Sequence, residues 1–489
     1  MLFNSLSFLI FLPIAFILYW AFPGRFRWVV LLLLSYYFYM AASPVYVPLL
    51  LSTTFVVWGA SLLIGNAGDD KKAYKKGILA LTLIICFGLL GFFKYYDFAA
   101  TSVARFMGLF SFNLEPHLLK LLMPVGISFY TFQSAGYLID VYSGKCDPER
   151  NFARFALFVS FFPQIIAGPI GRAPSLLPQL RKDASFDYEL AVTGLRMMLW
   201  GFFKKLVISD ALCKFVDRIY ADVPSYFGMT FIMASVMYTF QIYCDFSGYS
   251  DIAVGTARLF NIRLIENFKS PYFSASVREF WSRWHISLST WFRDYVYIPL
   301  GGSRCSKIRK NFNLMVTMLI SGLWHGANWT FVFWGGLHGI YQCVEGILRE
   351  RFGTKAGDKK EPGKASKVFH ILLTFFLVNL AWIFFRADTL SDAFHIVTHL
   401  HNGVILHFAG AWKKMTVDML ITPFGLLKLF ASVAVLMVYD YFSLKRDIPS
   451  EMSKWKLPIR WALYLSITVL IIITKLHGGT TQQFIYFNF

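Results

Sequence analysis

Long apolar runs separated by short polar loops recur from one end of the chain to the other. Many of them approach the ~20 residues that a helix needs to cross a bilayer. The pattern predicts an all-α polytopic membrane protein with about eleven transmembrane helices. The candidate runs are 5–22, 27–42, 45–65, 78–94, 120–141, 189–208, 229–247, 311–324, 328–348, 368–386, 418–440 and 459–474.

Some apolar segments are too short or too often interrupted to cross the membrane in one helix. The segment 152–180, "FARFALFVSFFPQIIAGPIGRAPSLLPQL", is apolar but carries several prolines and glycines that break a helix. Non-spanning backbone at membrane depth is tolerated where protein buries it. The middle of the chain is therefore expected to contain re-entrant and interfacial helices as well as full spans.

Composition supports a single membrane domain over residues 1–489. Hydrophobic residues make up 56% of the 489 residues and charged residues only 15%, which leaves no long polar stretch for a soluble domain. The first apolar run has neither a basic residue before it nor a convincing cleavage site after it, so we interpret it as a retained span. Residues 349–367 are the one real linker, polar and rich in Gly and Lys.

The net charge of +19 does not indicate nucleic acid, because the basic residues lie in short loops between apolar runs. Under the positive-inside rule these loops face the cytoplasm. Both the N-terminus and the C-terminal tail, residues 477–489, are then expected on the outer side. The basic loops are 23–27, 69–76, 145–150, 349–367 and 444–456.

Several classes of chemistry have no motif in the chain. The six cysteines form no CxxC pair, so neither a zinc site nor a disulfide framework is implied. The GxSxG, HExxH and Walker patterns are absent as well, which removes the usual serine-hydrolase, zincin and nucleotide-hydrolysing interpretations. We expect no metal and no bound cofactor.

His325 is the first candidate catalytic residue. It is the one ionisable residue of "SGLWHGANWTFVFWG", 321–335, and a titratable side chain inside a membrane is costly and often functional. Gly322 and Gly326 should let a neighbouring helix approach closely, and Gly335 and Gly336 further along should do the same. The alternative is a histidine satisfied by a neighbouring helix or lying at the interface. His338 is a weaker candidate.

His285 is the second candidate. If 276–302 forms one helix, an apolar face results, made of Trp281, Trp284, His285, Leu288, Phe292 and Tyr295. The charged residues lie elsewhere around that helix, with Glu279 and Arg283 forming an i,i+4 pair. A basic amphipathic helix lying in the membrane surface explains the arginines and tryptophans but not the histidine.

Two acids follow an apolar run in "QIYCDFSGYSDIAVG", 241–255, and structural pairing is the favoured role for Asp245 and Asp251, with a direct catalytic role as the alternative. A histidine near neutral pH can take a proton from an attacking hydroxyl. Basic loops can attract an anionic donor such as a coenzyme A thioester. We assign substrate binding to Arg278, Arg283, Trp281, Trp284, Arg293 and Asn328. The donor is expected to enter from the cytoplasm near 276–310, where Arg304 adds a fourth arginine. A proton-coupled transporter or a scaffold that anchors an envelope complex would fit these residues too.

Two long stretches, "EFWSRWHISLSTWFRDYVYIPLGG" and "SGLWHGANWTFVFWGGLHG", resemble the signature regions of the membrane-bound O-acyltransferase (MBOAT) family. The branch they resemble is that of the alginate O-acetyltransferase membrane subunit, and a sister branch D-alanylates teichoic acids. The resemblance implies a multi-helix fold in which a funnel from each face meets at a central tunnel. His325 matches the family's catalytic histidine, and His285 matches its second signature position.

The resemblance also implies a function. The family takes an acyl group from a cytoplasmic donor, here acetyl-CoA, and delivers it to a hydroxyl. In this branch a separate extracytoplasmic transferase of the SGNH type finishes the O-acetylation of an envelope polysaccharide. The expected location is a bacterial cell membrane, in contact with lipid. D-alanyl transfer from a carrier protein remains the alternative within the family, and no motif identifies the acceptor polymer.

The chain ends in the aromatic tail "TTQQFIYFNF", which an interfacial belt of aromatic residues would explain. The sharper hypothesis is that the tail folds back into the outer funnel and docks through its phenylalanines. Short aromatic ends of this kind resemble those found among these acyltransferase systems. Docking would bring the Tyr486 hydroxyl near the tunnel, where it could carry the acyl group as a covalent relay.

Overall fold

The computed structural model describes residues 1–68, 70–166, 168–352, 363–404, 408–476 and 484–485, and within these ranges every regular element is helical. The chain divides into two compact units. One comprises Met1–Met198 with Ile252–Ile265, and the other comprises Leu199–Asp251 with Glu266–Phe489. Most of the predicted linker and tail lies outside the described residues, so their assignment remains a prediction, as does the single domain.

The first unit is built around a buried helix, α5, in which nearly every residue is inaccessible. The Tyr137 hydroxyl of α5 donates to Ser61 Oγ at 3.0 Å and accepts from the Glu149 amide at 2.8 Å. The segment 152–180 forms three short helices, as its prolines predict. The helices are α1 Leu6–Ala21, α2 Gly24–Met40, α3 Val47–Asn66, α4 Lys72–Gly108, α5 Ile127–Tyr142, α6 Phe152–Ser160, α7 Phe162–Ile165, α8 Ala173–Arg181 and most of α9 Tyr188–Phe202.

The second unit contains both candidate histidines. Two π-helical stretches, Phe203–Ser209 and Arg293–Tyr297, interrupt its α-helices. The helices are α10 Asp210–Ala221, most of α11 Met229–Leu259, α12 Val277–Arg283, α13 Ile286–Phe292, α14 Lys307–His325, α15 Trp329–Phe352, α16 Lys364–Arg386, α17 Leu390–His399, α18 Phe408–Asp418, α19 Pro423–Ser443, α20 Ile448–Glu451 and α21 Leu457–Leu476.

Five helices among the described residues are long and apolar enough to cross a membrane: Pro44–Asn66, Lys72–Gly108, Lys364–Arg386, Pro423–Ser443 and Leu457–Leu476. Each of them coincides with a run that the sequence predicts as a span. The protein is therefore an all-α polytopic membrane protein. The expected total of about eleven spans remains a prediction, because the other runs fall below these limits of length or apolarity.

Helices α14 and α15 form a closely packed hairpin that presents His325. A Cβ at Gly322 would collide with the carbonyl oxygen of Phe331, and one at Gly335 would collide with that of Met318. These backbone contacts confirm the predicted close approach at Gly322 and Gly335. The prediction fails at Gly336, because the packing there leaves room for a Cβ and does not require a glycine. Gly326 lies just beyond the end of α14, where a Cβ would collide with the Phe331 ring.

The hairpin contact should be intolerant of a single added methyl group. Replacing Gly335 by alanine should destabilise the protein by about 1–3 kcal/mol, because two backbones must separate. Thermal unfolding in detergent measures the loss. Gly336→Ala is the matched control, since its Cβ would meet only the Leu319 side chain, at an ordinary 3.5 Å. Equal unfolding temperatures for the two variants would contradict this explanation.

Candidate functional site

His325 is the last residue of α14 and only 1% of its surface is exposed. Its ring centroid lies 5.0 Å from that of Trp324, 5.0 Å from that of Trp334 and 5.3 Å from that of Phe385. Three aromatic side chains therefore surround the imidazole edge-on. The residue sits at a helix end, buried among aromatic rings, and burial of this kind shields a proton-transfer group from bulk water.

His285 occupies a break between two short helices. The prediction of one continuous helix over 276–302 is wrong, because α12 ends at Arg283 and α13 begins at Ile286. His285 itself adopts the left-handed conformation, with φ of 42°, which is uncommon for residues other than glycine. Asn267 sustains the break, because its backbone carbonyl accepts from the Ile286 amide at 3.0 Å and its side-chain Oδ1 accepts from the Ser287 amide at 3.1 Å.

The break aims His285 into the core of the second unit. The side chain is fully buried, and its ring centroid lies 4.5 Å from that of Phe246 and 6.0 Å from that of Trp324. Trp324 also contacts His325. The fold therefore brings the two predicted catalytic histidines to the same indole ring, although 40 residues separate them in the sequence.

The predicted substrate-binding tryptophans belong to an aromatic cluster: Trp281, Trp284, Trp324, Trp334, Trp382 and Phe385, all buried. Trp281 donates its indole N–H to Nδ1 of the buried His338 at 3.3 Å. Trp284 lies 5.0 Å from Trp382 between ring centroids. These contacts show packing roles for both tryptophans, and their predicted contact with substrate remains untested.

A cavity of about 560 Å³ lies at the turn that follows His325, although the His325 side chain does not contribute to its described lining. Part of its wall is formed by Gly326, Ala327 and Asn328, the three residues that follow His325, together with Phe385. Polar groups line it as well, including Lys205, Asp217, Asp245 and Arg386. The cavity thus has the mixed apolar and polar lining typical of small-molecule sites.

Asn328 is the predicted binding residue that this cavity contains. Its Nδ2 donates to the carbonyl of Asp388 at 2.9 Å, and its Oδ1 accepts from the amide of Thr330 at 3.1 Å. The side chain therefore fixes the turn between α14 and α15 that follows His325. A direct contact with substrate remains a prediction.

The predicted arginines lie away from the cavity's described lining. Arg283 pairs with Glu279 at 2.5 Å, which confirms the i,i+4 pair, and Arg293 pairs with Asp294 at 2.8 Å. Arg278 and Arg304 are exposed to solvent. Two of the four arginines thus have acidic partners, as expected if their role is structural.

The buried lysines of the 203–209 π-helix are functional candidates that sequence reasoning missed. Lys205 is ion-paired with Asp245 and, at 3.0 Å, with Asp210, while Lys204 pairs with Asp251 at 2.8 Å. The predicted structural pairing of both aspartates is confirmed. The signal was present in the sequence, because two adjacent lysines stand inside the apolar run 189–208.

The described part of the C-terminal tail packs into the second unit. Phe484 is fully buried, and its ring stacks on Tyr249 with centroids 4.4 Å apart. Ile485 lines the cavity beside His325. These contacts agree with the predicted docking of the tail. Tyr486 lies outside the described residues, so its predicted role remains open.

Comparisons with known proteins identify the family of the chain. The model of the MBOAT, membrane-bound O-acyltransferase family, matches residues 149–385, a range that contains both His285 and His325. The chain is 39% identical to the probable alginate O-acetylase AlgI of Azotobacter vinelandii, over 81% of this chain and 77% of that protein. It is 34% identical to the peptidoglycan O-acetyltransferase of Helicobacter pylori, over 100% of this chain and 98% of that protein.

A more distant similarity, 29% identity over 54% of this chain, is to the teichoic acid D-alanyltransferase of Streptococcus thermophilus, of which it covers 69%. The polytopic helical fold and the family match together define a membrane-bound enzyme. The chain belongs to the membrane-bound O-acyltransferase family and is an acyltransferase.

Proposed function

We propose that the protein moves an acetyl group from cytoplasmic acetyl-CoA across a bacterial cell membrane for O-acetylation of a cell-envelope polysaccharide. The observation that carries the proposal is His325, a buried imidazole whose next three residues line a 560 Å³ cavity. The activities after which the relatives from A. vinelandii and H. pylori are named support acetyl as the group transferred. The basic loops support an orientation with both termini outside.

In this proposal His325 is the general base. It accepts the proton of an attacking hydroxyl as that oxygen forms a bond to the thioester carbonyl, and the carbon–sulfur bond breaks. The proton then passes to the departing sulfur, which leaves as coenzyme A. General base catalysis of this kind contributes about 10²–10⁴-fold to a rate. His285, which contacts Trp324 on the same side of the cluster, orients the donor or shares the proton.

The first acceptor in the proposal is the phenol of Tyr486, close in sequence to the docked Phe484. A phenyl ester is more reactive than an alkyl ester, so it can pass the acetyl group to a serine of an extracytoplasmic SGNH-type transferase. That partner then acetylates the polysaccharide. The protein itself would need acetyl-CoA as a substrate and no bound cofactor.

The nature of the donor tests the proposal directly. Purified protein supplied with acetyl-CoA and its partner transferase should release coenzyme A and deliver labelled acetyl to polysaccharide. The D-alanyl alternative rests on the more distant similarity to the S. thermophilus protein. Under that alternative a D-alanyl carrier protein would be consumed and acetyl-CoA would not, so a parallel assay with both donors separates the two functions.

The exposed arginines beside the His285 break give a second test of the donor. Arg278→Gln combined with Arg304→Gln should raise the KM for acetyl-CoA several-fold, and more at low salt than at high salt, because screening weakens long-range attraction. Arg283→Gln with Arg293→Gln should raise it less, since Glu279 and Asp294 already neutralise these residues. An unchanged KM for both pairs would remove this region from the donor path.

A further inference from the structure

A buried carboxylate, Asp245, holds the end of the chain. The amide N–H of Ile485 donates to Asp245 Oδ2 at 2.8 Å. The other carboxylate oxygen, Oδ1, is paired with the Lys205 ammonium. Asp245 is 2% exposed and Lys205 1%. The two oxygens therefore make different interactions. Oδ1 forms the ion pair with Lys205, and Oδ2 accepts a hydrogen bond from a backbone amide 240 residues further along the chain.

The tail has an aromatic contact with the same helix. Phe484 stacks on Tyr249 at 4.4 Å and lies 5.7 Å from Phe246, both measured between ring centroids. Phe246 and Tyr249 follow Asp245 on α11 by one and four residues. A single stretch of α11 thus supplies a polar anchor and an aromatic anchor to two consecutive residues of the tail.

The charge of Asp245 is balanced within the protein. Lys205 also pairs with Asp210 at 3.0 Å, and the Ser209 hydroxyl donates to Asp245 Oδ1 at 3.4 Å. A hydrogen bond from an amide to an ionised carboxylate is stronger than one to a neutral acceptor. The Asp245 carboxylate is therefore suited to accept a hydrogen bond from a backbone N–H. Because Asp245 is buried, water competes little for that hydrogen bond.

The place where the tail is held is the cavity beside the candidate base. Ile485 and Asp245 line this cavity together with Gly326, which follows His325 directly. Phe385 lines it too and contacts the His325 ring at 5.3 Å between centroids. The hydrogen bond to Asp245 thus fixes a point of the chain end against the acyl-transfer site.

We propose that Asp245, balanced by Lys205, is a positioning residue that latches the C-terminal segment at Ile485 in the cavity. We call this contact between Asp245 and the Ile485 amide the latch. Its purpose depends on the proposed function, because the latch would keep the chain end at the acyl-transfer site during turnover. Asp245 acts through the tail backbone and needs no contact with the acyl group. Its loss should lower kcat for polysaccharide acetylation and leave the KM for acetyl-CoA unchanged.

Hydrogen exchange of the full-length protein in detergent tests the latch. In Asp245→Ala the Ile485 amide should exchange at least about tenfold faster, since hydrogen bonds to charged groups contribute about that much or more to an equilibrium. Asp251→Asn is the matched control, because it removes the neighbouring ion pair between α11 and Lys204 and leaves the tail contact intact. In that control the Ile485 amide should keep its wild-type protection.

Phe484→Ala gives a second route, since it leaves the Lys205–Asp245 pair in place even if Asp245→Ala fails to fold. It should also expose the Ile485 amide to exchange and lower kcat without raising the KM. The latch would be refuted if the Ile485 amide exchanged at the wild-type rate in the folded variants. It would also be refuted if exchange became equally faster at Ile485 and throughout α11. Hydrogen exchange can be measured without turnover. If the exchange results support the latch but the protein transfers no acetyl group, the proposed function is wrong and the latch is not.

Discussion

Replacing His325 by alanine should abolish acyl transfer while the protein remains folded and inserted. The imidazole is the proposed proton acceptor, and losing a general base costs about 10²–10⁴-fold in rate. The rings of Trp324, Trp334 and Phe385 pack against the imidazole, and none of these three side chains can act as a base in its place. Coenzyme A release, measured with acetyl-CoA and the acceptor present, reports the loss.

His338 provides the matched control for this variant. It is an equally buried histidine in α15, and it contacts Trp334 at 5.0 Å between centroids, as His325 does. His338→Gln keeps an acceptor for the Trp281 indole and should retain most of the activity. Gel filtration should show a monodisperse profile for both variants. Wild-type coenzyme A release by His325→Ala would refute the assignment of a general base.

Tyr486→Phe should reduce acetylation of the polysaccharide in cells to background. The change removes one hydroxyl, the proposed nucleophile of the relay, and keeps the aromatic ring. Phe484 and Ile485 stay unchanged, so the tail's contacts with Tyr249 and Asp245 are preserved. Polymer-bound acetate, released by base and quantified, measures the effect.

Deleting residues 484–489 is the companion experiment, because it removes the relay and the docked residues together. If the relay is correct, the deletion and Tyr486→Phe should be equally inactive. If the tail serves only as an anchor or a docking element for a partner, Tyr486→Phe should support full acetylation and the deletion alone should fail.

Much of the membrane architecture and the principal site residue could be predicted from the sequence. The five long apolar helices coincide with predicted spans, because apolarity and length are local properties that a window of ~20 residues contains. His325 was evident for a similar reason, since a single imidazole among apolar residues and glycines is visible within 15 residues. The Glu279–Arg283 pair followed from helical spacing alone.

The helix break at His285 was not predictable from periodicity. The apolar positions over 276–302 fit one helix, yet His285 has positive φ and the chain turns there. The amides freed by the break are satisfied by Asn267, which lies 18 residues before His285 and outside the window that periodicity uses. A local pattern cannot anticipate that a distant residue replaces helical hydrogen bonds with its carbonyl and its side chain.

The sequence by itself determined the class of the protein, its apolar helices and the identity of its candidate base. Only the tertiary structure decided that Lys205 pairs with Asp245, that His285 and His325 share Trp324, and that Ile485 reaches the cavity. The reason is physical, because apolar burial depends on composition along the chain, whereas a buried charge or a free backbone amide must find its partner anywhere in the fold.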